Sequence, residues 1–92
     1  VEEHKMKVRV RLYATLVDLV PPSIRAQTPE MRAARPFELE VPEGSTLAHL
    51  IEQLALSRAE IKAIFVNGRV CPLDHLLQPG DEIGIFPPVG GG

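Results

Sequence analysis

The stretch that decides the fold is "IFVNGRVCPLDHLLQPGDEIGIFPPVGGG", Ile64 to Gly92. Its Asn67-Gly68 pair lies between two short apolar runs, the strongest short hairpin signal a sequence carries, because both central residues of such a turn take positive φ. Two short strands are expected around it. Downstream, Leu73, Leu76 and Leu77 are expected to supply apolar contacts and Pro79-Gly80-Asp81 a turn. "EIGIF" then alternates, sending Ile83 and Ile85 to one side and Gly84 and Phe86 to the other, and stops at the stiff Pro87-Pro88 pair. Val89 and three glycines follow. Glycine loses most freedom when ordered, so Gly90, Gly91 and Gly92 raise the question of whether this end is idle or is the working part.

Working outward, "MKVRVRLY" has Val8, Val10 and Leu12 on one side and Lys7, Arg9, Arg11 and Tyr13 on the other, the period of a half-buried strand. "FELEV" repeats the pattern with Phe37, Leu39 and Val41 against Glu38 and Glu40. If the two strands pair, Arg9 and Arg11 face Glu38 and Glu40, which makes the basic stripe a balanced sheet surface rather than a nucleic-acid patch. In "TLAHLIEQLAL", Leu47, Leu50, Ile51 and Leu54 have helical spacing, with Ser45 or Thr46 as the cap. Between the first two strands, Leu16, Leu19 and Val20 suggest a short helical turn stopped by Pro21 and Pro22. The rest of residues 14–36 reads as a long surface loop, with one turn near "PEMRAA" and three arginines, Arg25, Arg32 and Arg35, without evident partners.

The totals agree with one small folded domain spanning residues 1–92. Hydrophobic residues make up 45% and charged residues 24%, too apolar for a disordered chain. A net charge of −2 offers no field for nucleic acid or anionic lipid. No apolar run approaches the roughly 18 residues of a membrane span. The single cysteine, Cys71, cannot close an internal disulfide and fits a reducing compartment, so the cytoplasm is the expected location. The chain begins on Val1, so "VEEHK", residues 1–5, reads as a leader left by truncation or cloning, with Met6 as the native start. It is set aside from the fold. Strands divided around one helix predict an α+β domain whose amphipathic helix covers one face of a mixed sheet of four to five strands.

These residues resemble the MoaD/ThiS family of sulfur carriers, which have the ubiquitin-like β-grasp fold. The resemblance lies in the "VNG" hairpin, the "LLQPGDEI" approach to the last strand, and "FPPV" before a terminal Gly-Gly. It covers Met6 to Tyr13 and Phe37 to Gly92, and "FPPV" is similar to the MoaD branch rather than to ThiS. The segment Ala14 to Pro36 is longer than the matching connection in small members of the family.

Glycines remove every side chain, so a flexible tail over residues 87–92 can enter a narrow tunnel and bring its carboxylate to a buried reaction centre. That α-carboxylate is an anion at neutral pH and acylates nothing until activated. The resemblance implies that a ubiquitin-activating-type enzyme, MoeB/ThiF-like and carrying ATP and magnesium, adenylates Gly92. It implies further that a sulfur donor such as a cysteine desulfurase or rhodanese then displaces AMP to leave a thiocarboxylate. A MoaE-like large subunit of molybdopterin synthase is the implied acceptor, in the assembly of molybdenum or tungsten cofactor. On this reading the chain is a carried cosubstrate rather than an enzyme, with no bound cofactor of its own, no metal site, and no nucleic-acid or membrane partner. The alternatives are a ubiquitin-like modifier joined through Gly92 to lysines, a carrier for thiamin thiazole or tRNA thiolation, and a noncovalent β-grasp interaction module. Carrier and modifier use the same tail.

Side-chain parity marks the partner surface. Where Val8, Val10 and Leu12 are core, Tyr13 points outward; where Ile64 and Val66 are core, Phe65 does; where Ile83 and Ile85 are core, Phe86 does. Three outward aromatics make an apolar patch, the usual mark of an interaction site, unless the arginine-bearing loop folds over it. The resemblance adds that Phe86, Tyr13 and Val70 match interface positions of MoaD-like proteins. His4, His49 and His75 lack metal-ligand spacing and read as exposed residues. Cys71 reads as a small apolar strand residue rather than a persulfide carrier.

Overall fold

Alternation in "KMKVRVRL" builds the strand on which the sheet is assembled. This is β1, Lys5–Leu12, and its burial alternates without a break: Met6, Val8, Val10 and Leu12 are buried while Lys5, Lys7, Arg9 and Arg11 are exposed. The structure is a computed structural model that describes residues 4–88. The tail positions Val89, Gly90, Gly91 and Gly92 lie outside the described residues. The Glu43 N–H donates to the His4 carbonyl at 2.9 Å and Lys5 pairs with Pro42, so the sheet takes in residues that the sequence reading set aside as a leader.

β1 pairs antiparallel with β2, Phe37–Pro42, on one side and parallel with β5, Glu82–Phe86, on the other. β5 pairs in turn with β3, Ala63–Val66, which the Asn67-Gly68 turn folds back on β4, Arg69–Val70. Asn67 at φ 52° and Gly68 at φ 85° give the turn the positive dihedrals expected of it. The result is a mixed five-stranded sheet in the order β2-β1-β5-β3-β4.

Two short helices follow β1: α1, Leu16–Leu19, and α2, Pro22–Arg25. The principal helix, α3, spans Leu47–Gln53 and places Leu47, Leu50 and Ile51, with the following Leu54, in one core with the inward residues of β1, β3 and β5. Its Thr46 cap accepts from the His49 N–H, and the His49 ring Nδ1 accepts from the Thr46 N–H at 3.1 Å. The two other free N–H groups of the first turn donate to carbonyls of the segment before β5, Leu47 to His75 at 3.1 Å and Ala48 to Leu73 at 2.9 Å. At the other end the Leu56 N–H returns to Ile51 and the Ala55 N–H to Glu52, a Schellman closure with Ala55 at φ 58° where glycine is the usual residue.

Five expectations are corrected. Arg9 does face Glu38, but Glu40 faces Lys7, and Arg11 lies beyond the last β2 pair, Val10 with Phe37; its cross-strand neighbour is Gly84 of β5. Residues 14–36 are not one open loop. Pro22 opens α2 at its first position, where a missing N–H costs nothing, and Thr28 and Met31 are buried. The turn expected near "PEMRAA" closes from the Met31 N–H to the Thr28 carbonyl at 3.0 Å. Arg25 and Arg32 have partners in this segment: Arg25 lies 3.9 Å from the Asp18 carboxylate, and Arg32 donates to the Pro29 and Met31 carbonyls at 3.0 and 2.9 Å. Leu76 contributes little to the core, being 56% exposed where Leu77 is buried. Cys71 sits one residue past β4, half-buried against the core.

Candidate functional site

On the outer face of the sheet the side chains form cross-strand rows. Glu38, Arg9 and Glu82 make one row across β2, β1 and β5; Arg11, Gly84, Phe65 and Val70 make the next across β1, β5, β3 and β4. The last row, where β5 ends, holds Tyr13 and Phe86. Their rings stack at 4.1 Å between centroids and 6° between planes, and the edge of Phe65 meets Phe86 at 5.3 Å and 74°. Both arrangements are favoured by the ring quadrupole, and each pair contributes about 0.5–1.5 kcal/mol beyond its area. All three aromatics named from parity therefore form one cluster. Val70, 66% exposed and opposite Phe65, extends it toward the β4 edge without joining the ring stack.

The backbone on both sides fixes the cluster. The Tyr13 N–H donates to the Ile85 carbonyl at 3.1 Å, and the Lys62 N–H donates to the Phe86 carbonyl at 2.8 Å. The end of β5 is thus held on both sides, at Ile85 and at Phe86, at the point where Pro87, half-buried, and Pro88, exposed, lead away. From residues 14–36, Tyr13's neighbours in sequence, only Pro36 reaches the cleft beside the cluster, so the arginine-bearing segment does not cover the face.

Sequence reasoning passed over two residues that build this site. A Cβ on Gly84 would stand 3.3 Å from Tyr13 Cε2 and 3.7 Å from Phe86 Cε1, so the missing side chain is the space in which the Tyr13 ring lies. The other is Asp81, which is buried. Its Oδ1 accepts from Asn67 Nδ2 at 3.0 Å and its Oδ2 from the Gln78 N–H at 2.8 Å, while Asn67 Oδ1 accepts from the Glu82 N–H at 3.0 Å. The "NG" and "GD" signals are therefore one hydrogen-bonded joint between the hairpin and the start of β5. The only hint in the sequence was the co-occurrence of the two turn motifs.

The histidines stand apart. His49 is spent on the α3 cap, and the His75 carbonyl serves the same helix. Among the described residues no three His, Cys, Asp or Glu side chains converge as a metal site would require, and no helix is long and apolar enough to cross a membrane.

Comparison with known proteins agrees with this architecture. Residues 25–92 match the family model described as the ThiS family. The putative molybdopterin converting factor, subunit 1, of Pyrococcus furiosus is 27% identical, with 91% of this chain and 99% of that one superposed at a TM-score of 0.63. Small archaeal modifier protein 1 of Methanosarcina acetivorans is also 27% identical, with 97% and 99% coverage and a TM-score of 0.59. Protein RnfH of Cereibacter sphaeroides is 32% identical over 57 residues, covering 55% of this chain and 67% of that protein. The chain belongs to the ThiS family and has the ubiquitin-like β-grasp fold of the MoaD/ThiS-type sulfur carriers and small modifiers.

Proposed function

We propose that this protein is a sulfur carrier activated at the Gly92 carboxylate and serving molybdopterin assembly as the small subunit of its synthase. The observation that carries the reading is the aromatic cluster of Tyr13, Phe65 and Phe86, placed where β5 releases the chain toward Gly90-Gly91-Gly92. A half-exposed aromatic face is a docking surface for another protein, and a side-chain-free extension beside it reaches into that protein's reaction centre. The catalytic groups, with ATP and magnesium, belong to a MoeB/ThiF-like activating partner. There a carboxylate oxygen attacks the α-phosphorus and pyrophosphate leaves. The terminal sulfur of a persulfide on a desulfurase or rhodanese then attacks the acyl carbon and AMP leaves. A thiol reductant cleaves the resulting acyl disulfide, itself ending as a disulfide, and the thiocarboxylate so formed passes its sulfur on at a MoaE-like subunit. The "FPPV" run and the likeness to the Pyrococcus furiosus protein support molybdopterin as the destination.

A second reading, conjugation through Gly92 to lysines, is supported by the same 27% identity to small archaeal modifier protein 1. Intact-mass measurement of protein from its native host separates the two. A gain of about 16 Da, sulfur for oxygen, is expected for the carrier, and a ladder of conjugates for the modifier. An unchanged mass in the presence of an activating enzyme and sulfur donor overturns both. An alanine added after Gly92 is expected to abolish either product.

A further inference from the structure

On the outer face the register leaves two cations of β1 without a facing carboxylate, Lys5 opposite Pro42 and Arg11, and of these Arg11 alone lines the aromatic cleft. Lys7 faces Glu40, and Arg9 has a carboxylate residue on each flank, Glu38 on β2 and Glu82 on β5. Arg11 has neither. β2 pairing ends one residue before it, and on the β5 side its neighbour is Gly84, which has no side chain. Arg11 is exposed, and among the described residues neither it nor Lys7 nor Arg9 closes an ion pair; what sets Arg11 apart from those two is that no carboxylate residue faces it. Beside it lies a cleft of about 300 Å³ lined by Gly84, Tyr13, Phe65, Phe86 and Pro36, with Arg9 and Glu82 also on its wall. A guanidinium at the lip of an aromatic recess suits one kind of visitor: a side chain with a carboxylate for the cation and methylene groups for the rings.

We infer that Arg11 and the Gly84 cleft form a docking socket for an aspartate or glutamate projecting from the activating partner's surface, next to the apolar residues that meet the Tyr13–Phe86 stack. The inference rests on the proposed carrier reading, from which it takes the partner. The socket sets which activating enzyme is accepted, because a partner with a basic or missing side chain there leaves Arg11 desolvated and unpaired.

The test uses the full chain and the ubiquitin-activating-type enzyme encoded in the same genome. Binding by surface plasmon resonance and ATP–pyrophosphate exchange are measured at about 20 and about 300 mM salt. Arg11→Gln is expected to raise Kd and KM roughly five- to tenfold at low salt, with kcat unchanged, and to flatten the salt dependence; Arg11→Glu is expected to weaken binding further. Lys7→Gln, at a residue that faces Glu40 and lies outside the cleft, is expected to change either constant less than about twofold. Equal effects of Lys7→Gln and Arg11→Gln, or normal binding by Arg11→Glu, overturn the socket while leaving the carrier reading intact. Wild-type binding without exchange overturns the activation step while the same variants still decide the socket. A wild-type chain that neither binds nor is adenylated overturns both.

Discussion

Gly84 shows how much one hydrogen atom in place of a side chain can set. Adding a methyl there puts a carbon 3.3 Å from the Tyr13 ring, a tight contact that makes the ring give by a few tenths of an ångström against Phe86. The chain has one tyrosine and no tryptophan, so near-UV circular dichroism and fluorescence report this ring directly. Gly84→Ala is expected to change the tyrosine dichroism and weaken the Tyr13–Phe86 cross-peaks, at a stability cost of about 1 kcal/mol. Asn67 combines two duties, a positive φ and three hydrogen bonds to Asp81 and Glu82. Asn67→Ala is expected to cost about 2–3 kcal/mol in urea unfolding, and Asn67→Gly less, since glycine keeps the dihedral and loses only the side-chain bonds. The turn was legible from "NG" alone. The Asp81 joint was not, because a hydrogen bond spanning 14 residues leaves no local pattern.

Among the elements, regular period separates what could be read from what could not. β1, β2, the hairpin and α3 declare themselves through alternation or helical spacing, and their core residues are those expected. α2 has four residues and no buried side chain, so no period exists to find; its one signal is Pro22, which reads equally as a stop for α1 and a start for α2. The end of α3 is unmarked for a different reason, an alanine in the position glycine usually holds. Ala55→Gly relieves that left-handed strain and is expected to stabilise the protein by about 1 kcal/mol. Met31 tests whether residues 14–36 are packed. Met31→Ala is expected to cost about 2–4 kcal/mol, whereas Glu30→Ala, on the exposed side of the same turn, stays within about 0.5 kcal/mol.

For the whole molecule, parity in each strand says which residues face the core, but the order β2-β1-β5-β3-β4 rests on pairings between distant segments and is carried by the family resemblance rather than by any single stretch. That order puts β5 in the middle of the sheet, bonded on both edges. Amides from Ile83 to Ile85 are accordingly expected to exchange with deuterium only through global unfolding, whereas those between Ala26 and Arg35 exchange through local opening. The parallel pairing of β1 with β5 also fixes how the domain bears load. Tension applied through Pro87 runs along β5, against the hydrogen bonds to β1 and β3 together, so it shears them as a set instead of peeling them one by one. A machine that draws on the end of this chain therefore meets a mechanical clamp, one that holds the body folded against the pull.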